Sequence, residues 1–362
     1  VDVVVNASGV LQDGARDDVE AIHVTAVERL VAAASGCRLV QISAAGVSAE
    51  ASTAFFRTKA RGEAAIATAG DWVILRPTLV LAPEAYGGTA LLRAAAALPG
   101  VLPKVLPEAQ VQTVSVEDVA QAVVAAVEGR VPSGTIADLT EPEARPLPDL
   151  IAAIRRWQGW PEARLRVPVP GALLRLIGWA ADGLGHLGWR SPLRTTALEV
   201  LKDGVRGDPG AWEAAGGAPC RGLDETLASL PATRQERVFA RAFLAVPLAI
   251  AALAVFWSVS GLIALLDVPR AMAILTERGA PQVLAGLTVV GGAAADIALA
   301  AAICWRPWAK RAALGMVGLS GAYLLGSVIF APDLWADPLG PMVKVIPALV
   351  LAALVWLLLE ER

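Results

Sequence analysis

Asp2-Val3-Val4-Val5-Asn6-Ala7-Ser8-Gly9 opens the chain with a β-branched run that breaks into small polar residues, the pattern of a strand feeding a turn. Two more stretches repeat the theme. Arg38-Leu39-Val40-Gln41-Ile42-Ser43 is followed by Ala44-Ala45-Gly46, and Trp72-Val73-Ile74-Leu75 by Arg76-Pro77-Thr78. Between them lie helical spacings. Val19, Ile22, Val27, Leu30 and Val31 predict a helix over 17–35 closed by Gly36, and 58–69 predicts another ending at Gly70. Residues 114–128 read as a further helix and 135–139 as a further strand. Alternating strands and helices with short connections predict a parallel α/β sheet. Such sheets bind ligands at the carboxyl ends of their strands, here Asn6–Gly9, Ser43–Gly46 and residues 77–82.

The 362 residues carry 31 basic and 34 acidic side chains, a net −3, which provides no polycationic surface for a nucleic acid. Cys37, Cys220 and Cys304 are too scattered for a disulfide framework or a cysteine zinc site, and His23 and His186 are the only histidines, so no metal site is expected. Hydrophobic residues make up 56%, an excess concentrated beyond residue 240. Residues 242–266 hold no charge, 282–305 only Asp296, 312–332 none, and 342–359 only Lys344. Spanning a bilayer takes about 20 apolar residues, so four transmembrane helices are expected. Arg234, Arg237 and Arg241 precede the first run, and Arg306, Lys310 and Arg311 separate the second from the third. This bias predicts that residues 1–240 face the cytoplasm of a bacterial-type inner or cell membrane. The expected organisation is an α/β domain over 1–150, a substrate-side or linker helical region over 151–240, and an all-α membrane domain over 241–362.

The chain starts inside a strand, and no glycine-rich phosphate loop follows any strand. A sheet beginning there would leave an apolar parallel edge uncovered, which predicts about 50–60 further residues upstream, the first half of a dinucleotide fold.

Several motifs in order, namely 2–9, Gln41-Ile42-Ser43-Ala44-Ala45, Phe55-Phe56-Arg57-Thr58-Lys59, 72–78 and Val116-Glu117-Asp118-Val119-Ala120, resemble the atypical extended short-chain dehydrogenase/reductases of the epimerase-like and NmrA-like branch. The tail resembles the DoxX-like four-helix membrane domain. The resemblance implies a Rossmann fold (here truncated at its N-terminus), NAD or NADP as cofactor, and a membrane anchor. It implies that Asn6, Ala7, Ser8 and Gly9 line the ribose and pyrophosphate side, and that Ser43 sits at a strand tip. It places Lys59 at the lysine of Tyr-x-x-x-Lys, binding the nicotinamide ribose, and Pro77 and Thr78 beside the nicotinamide. Lys59 and Ser43 are thus the candidate catalytic residues.

The tyrosine position, however, is Phe55, which has no proton to give. Hydride transfer would then draw its proton from water, Ser43 or the substrate. Two readings stay open: a reductase of an apolar or quinone-like substrate, and a non-catalytic NAD(P)-sensing or assembly protein. An epimerase is disfavoured by the missing tyrosine. His23 and His186 read as structural, and Glu117 and Asp118 as helix N-terminal charges. Residues 170–189 fit an interfacial helix, a cover over a substrate pocket, or plain core. Asp296 fits either structural pairing, through Ser320 or Tyr323, or a proton- or quinone-linked role. Gly286, Gly291, Gly292, Gly315, Gly318 and Gly321 suit close helix contacts.

Overall fold

Two compact units make up the computed structural model, which describes residues 1–14 and 17–359. The first comprises Val1–His186 with Arg190–Arg241; the second comprises Leu187–Trp189 with the chain from Ala242 onward.

The first unit runs from β1 (Val3–Asn6) through a π-helical turn (Ala21–Thr25) into α1 (Ala26–Ala33), then β2 (Arg38–Ile42), α2 (Ala54–Ile66) and β3 (Trp72–Pro77). It continues with β4 (Leu79–Leu81), α3 (Gly87–Ala96), β5 (Val101–Lys104), β6 (Gln110–Val111), β7 (Thr113–Ser115), α4 (Val116–Val127), β8 (Thr135–Leu139), β9 (Arg145–Pro146) and α5 (Leu147–Trp157). The remaining elements are β10 (Leu165–Pro168), α6 (Gly171–His186), α7 (Thr195–Asp203), α8 (Gly210–Ala214) and α9 (Leu223–Ser229).

Strands β1, β2, β3 and β8 form one sheet in that order, every pair parallel, with Val5 opposite Val40 and Val40 opposite Val73. This is the Rossmann-like α/β architecture. Covered on both faces, β2 and β3 bury Leu39, Val40, Val73, Ile74 and Leu75 almost completely. Among the described residues β1 pairs only with β2, and its Val5 is exposed.

Two helices differ from the sequence expectation. α2 starts at Ala54, four residues before Thr58, because the Thr53 side chain accepts the Phe56 N–H and caps it there. The helix expected over 17–35 widens into the π-turn, where the Ala26 N–H donates to the Ala21 carbonyl five residues back. Gly62 of α2 makes room for that bulge: a Cβ there would lie 2.2 Å from the His23 carbonyl oxygen.

The second unit is helical. α10 (Arg234–Leu266) begins in the first unit and runs into the second, followed by α11 (Val268–Thr276), α12 (Gln282–Cys304), α13 (Arg306–Phe330) and α14 (Val345–Leu358). α10, α12 and α13 are long and apolar enough to cross a membrane. The fourth apolar run is shorter than expected: α14 has 14 residues, about 21 Å at 1.5 Å per residue, against the ~30 Å of a hydrocarbon core. Leu253, Trp257, Ile303, Met316 and Val355 fill the core of this unit. Of the expected contact glycines, Gly292 meets the Tyr323 hydroxyl and Gly315 meets Leu299, while a Cβ at Gly291, Gly318 or Gly321 would meet nothing within 4 Å. Those three face away from neighbouring helices. Asp296 is buried and accepts a hydrogen bond from Tyr323 at 2.9 Å. Ser260, rather than Ser320, supplies its second bond.

Candidate functional site

The carboxyl ends of β1, β2 and β3 carry the residues singled out in the sequence. Asn6 donates through Nδ2 to Gln41 Oε1 at 2.8 Å, and its Oδ1 accepts from the Ser8 N–H and hydroxyl. The amide therefore folds the chain into a turn as it leaves β1. Ala7, Ser8 and Gly9 follow on the surface. At Gly9 the backbone crosses close to α2, where an added Cβ would lie 3.5 Å from Lys59 Nζ and 3.7 Å from His23 Nε2.

Ser43 lies at the end of β2, its N–H donating to the Leu75 carbonyl at 2.7 Å. Its hydroxyl is buried and has no hydrogen-bond partner. Pro77 accepts the Ala45 N–H through its carbonyl. Thr78 is differently placed from Ser43, because its hydroxyl already reaches the Thr140 hydroxyl and the Leu139 carbonyl.

Helix α2 spaces Phe55, Lys59 and Glu63 four residues apart, on one face. Glu63 is held by Arg76 of β3 through both carboxylate oxygens. Lys59 is 8% exposed, and its ammonium lies 5.6 Å from the Phe55 ring centroid. Among the described residues it makes no hydrogen bond. Burial pushes its pKa down from 10.5 to about 8, and the Glu63 carboxylate only partly counters this. A buried amine without a hydrogen-bond partner and a buried hydroxyl without one are both suited to a polar ligand.

His23, expected to be structural, comes from the π-turn. Its Nε2 accepts the Val10 N–H at 3.1 Å, which fixes the proton on Nδ1, and Nδ1 donates to Thr58 Oγ1 at 2.8 Å. Thr58 passes its own proton toward the Phe55 carbonyl. Burial and the nearby Lys59 charge lower the His23 pKa to about 4, so the ring is neutral and ties the Gly9–Val10 loop to α2. Its edge also meets Phe55, with centroids 5.6 Å apart.

Next to this cluster is a cavity of about 290 Å³ lined by Leu11, Gln12, Phe55, Asp182, His186 and Arg194, among others. The sequence offered a pocket cover as one reading of residues 170–189, but gave no sign of the part played by Leu11, Gln12 and Arg194. Asp182 of α6 braces one wall by accepting from Gln12, Arg194 and Thr195, and Arg194 also donates to the Asp13 carbonyl. Burial alone would raise the Asp182 pKa, but the hydrogen bonds outweigh it and hold the carboxyl below its ordinary value. Gln12 Oε1 is buried with no hydrogen-bond partner. The available signal was Arg175, Asp182 and His186, the polar strip of an otherwise apolar helix.

Other singled-out residues do not join the site. Arg221 pairs with both Glu117 and Asp118, which makes those carboxylates struts between α4 and the chain before α9. No group of three His, Cys, Asp or Glu that could hold a metal ion occurs among the described residues.

Residues 254–353 match the DoxX-like family. No curated protein matches the sequence. Among solved structures, the chain is similar to the Bordetella bronchiseptica enzyme WbmG in complex with NAD and UDP, at 16% identity and TM-score 0.45 over 62% of this chain and 70% of that one. The Bordetella bronchiseptica enzyme WbmH in complex with NAD+ gives 19% and 0.46 over 63% and 74%. RMD from Pseudomonas aeruginosa complexed with NADPH gives 15% and 0.45 over 67% and 82%. The parallel sheet itself, rather than these likenesses, establishes the α/β architecture, and the helical unit combines the DoxX-like match with three helices long and apolar enough to cross a membrane.

Proposed function

We propose that this is a membrane-anchored NAD(P)-binding protein of the short-chain dehydrogenase/reductase type that reduces an apolar, quinone-like or carbonyl substrate. Buried Lys59, with no hydrogen-bond partner of its own, carries this reading. Its three N–H donors suit the hydroxyls of a nicotinamide ribose, and Ser43 offers a second unused polar group at the next strand end. Asn6, Ala7, Ser8 and Gly9 would follow the ribose and pyrophosphate, with Pro77 and Thr78 beside the nicotinamide. A bound nicotinamide would supply hydride chemistry.

Phe55 supplies no proton. With a pKa of about 8, Lys59 is roughly nine-tenths protonated at pH 7 and is the acid at hand for an oxygen gaining charge. The cavity walled by Phe55 would receive the substrate, its Gln12 carbonyl oxygen accepting from a ligand hydroxyl or amide. The arginine and lysine bias supports a cytoplasmic position for the α/β unit.

Phe55 also favours a second reading, in which the protein binds NAD(P) and reports it without turnover. Titration of the full-length protein with NADH and NADPH, then with quinones and aldehydes, separates the two. Binding followed by substrate-dependent oxidation is expected. Phe55→Tyr should then raise turnover about 10²-fold or more. Binding with no turnover selects the sensor, and failure of both nucleotides to bind refutes both readings.

A further inference from the structure

The sequence left open whether the apolar stretch around α6 meets lipid, covers a pocket or is core, and the helix divides into three strips. Leu174, Gly178, Ala181 and Gly185 are buried, and Gly178 and Gly185 meet Leu193–Thr195, Leu198 and Arg194 closely. Arg175, Asp182 and His186 form a narrow polar strip, with Asp182 and His186 lining the cavity. At 100° per residue, the remaining arc spans about 140° and carries Ala172, Leu173, Leu176, Trp179, Ala180, Gly183 and Leu184 without a single charge. Leu176 is 60% exposed and Trp179 66%, a continuous apolar face that a soluble surface rarely shows.

What covers this face is indicated by the chain immediately after it. α6 ends at His186, and the next three residues belong to the helical unit. There the Leu187 carbonyl accepts the Arg306 N–H at 3.0 Å, and Trp189 Nε1 donates to the Cys304 carbonyl at 2.6 Å. Cys304 ends one membrane-length helix and Arg306 starts the next, so this turn sits at a membrane face. Trp305 and Trp308 stack at the same turn, as aromatic residues do at the headgroup level. His186, the last residue of α6, is joined by a peptide bond to Leu187, which bonds to that turn.

We infer that α6 is an interfacial helix whose Leu173–Leu176–Trp179–Leu184 face rests on the lipid surface, so that one helix borders both bilayer and cavity. Resting on the function proposed above, the consequence is that a lipid-dissolved substrate reaches the cavity along α6 without crossing bulk water.

The test uses the full-length protein in nanodiscs of phosphatidylethanolamine and phosphatidylglycerol, with Cys37, Cys220 and Cys304 changed to alanine. An environment-sensitive fluorophore is placed at Leu176→Cys, and a control at Val124→Cys on exposed α4. Leu176→Cys should be blue-shifted and quenched several-fold more strongly by spin-labelled lipid than the control. Equal quenching, or a blue shift without lipid quenching as contact with a second copy would give, overturns the proposal. Should the cysteine-free background fail to fold, brominated lipid on the native chain gives the answer, since Trp179→Phe must remove a quenched emission component. No loss of that component overturns the proposal equally. Neither readout needs cofactor or turnover, so its failure is distinct from failure of the proposed function.

Discussion

Replacing Lys59 with methionine keeps the length of the side chain and removes a charge the fold holds out of water. In the folded chain the ammonium titrates near pH 8 against 10.5 ordinarily. At pH 7 both folded and unfolded chains are largely protonated, and the displacement corresponds to about 3.4 kcal/mol against the folded state. Loss of the contact with the Phe55 ring, 5.6 Å from the ammonium, gives back roughly 1 kcal/mol. Lys59→Met should therefore be about 2 kcal/mol more stable at pH 7. The sign has a pH signature. Between about pH 8 and 10.5 the unfolded chain keeps a proton that the folded one has released, so wild-type stability rises through that window. The advantage of the variant should shrink over the same interval and vanish above it. In a thermal melt of the detergent-solubilised protein, the transition of the α/β unit should move up by about 4–8 °C at pH 7. The same variant should bind NADH more weakly, since stability is commonly withheld where a site needs a strained group. An unchanged or lower melting temperature at pH 7 would refute the reasoning, as would an advantage that persists at pH 10.5.

Gly62→Ala should lower stability by about 1–3 kcal/mol, because its Cβ would sit 2.2 Å from a backbone oxygen that cannot swing aside; urea unfolding at pH 7 measures it. The neutral His23 adds an acid-side effect. Its pKa is about 4 when folded and 6.5 ordinarily, so the unfolded chain binds the extra proton as pH falls from 6.5 toward 4, and stability declines through that interval. His23→Gln should flatten that decline in melts at closely spaced pH values, and an identical acid slope in the variant would exclude His23 as its source.

Strands β2 and β3 were legible because continuous burial leaves a run of β-branched and aliphatic residues with little else to compete. Helix α2 was legible in type but not in its start, because Phe55 and Phe56 precede the helical spacing, and a single Thr53 side chain sets the boundary. Lys59 could be picked out by its distance from Phe55. The partnerless state of Ser43 and the tautomer of His23 could not, since both depend on tertiary packing, the tautomer on contacts 13 and 35 residues away. The bond from Gln12 to Asp182 joins positions 170 residues apart and leaves no local pattern. Glu141 makes the same point. It is 1% exposed and ties Thr113, Arg145 and the Leu223 N–H together, yet sits in a stretch that reads as an ordinary loop. In the membrane unit, composition locates apolar runs but not where proline, glycine and polar residues end the helices inside them, which is why α14 is shorter than its run.

The π-turn gives residues 21–25 an unusual relation to their own numbering. One surplus residue is accommodated inside a helix without interrupting it, and each residue of an α-helix turns the chain by about 100°. Closing the turn to ordinary α-geometry by removing one residue would preserve the helix and its apolar composition. It would also change the helical phase of everything on the N-terminal side relative to α1, swinging the loop that carries Gly9 and Val10 out of step with Thr58 and Lys59. This part of the molecule thus tolerates exchanges of side chain far better than changes of length, and its angular setting is inherited by whatever the strand ends hold.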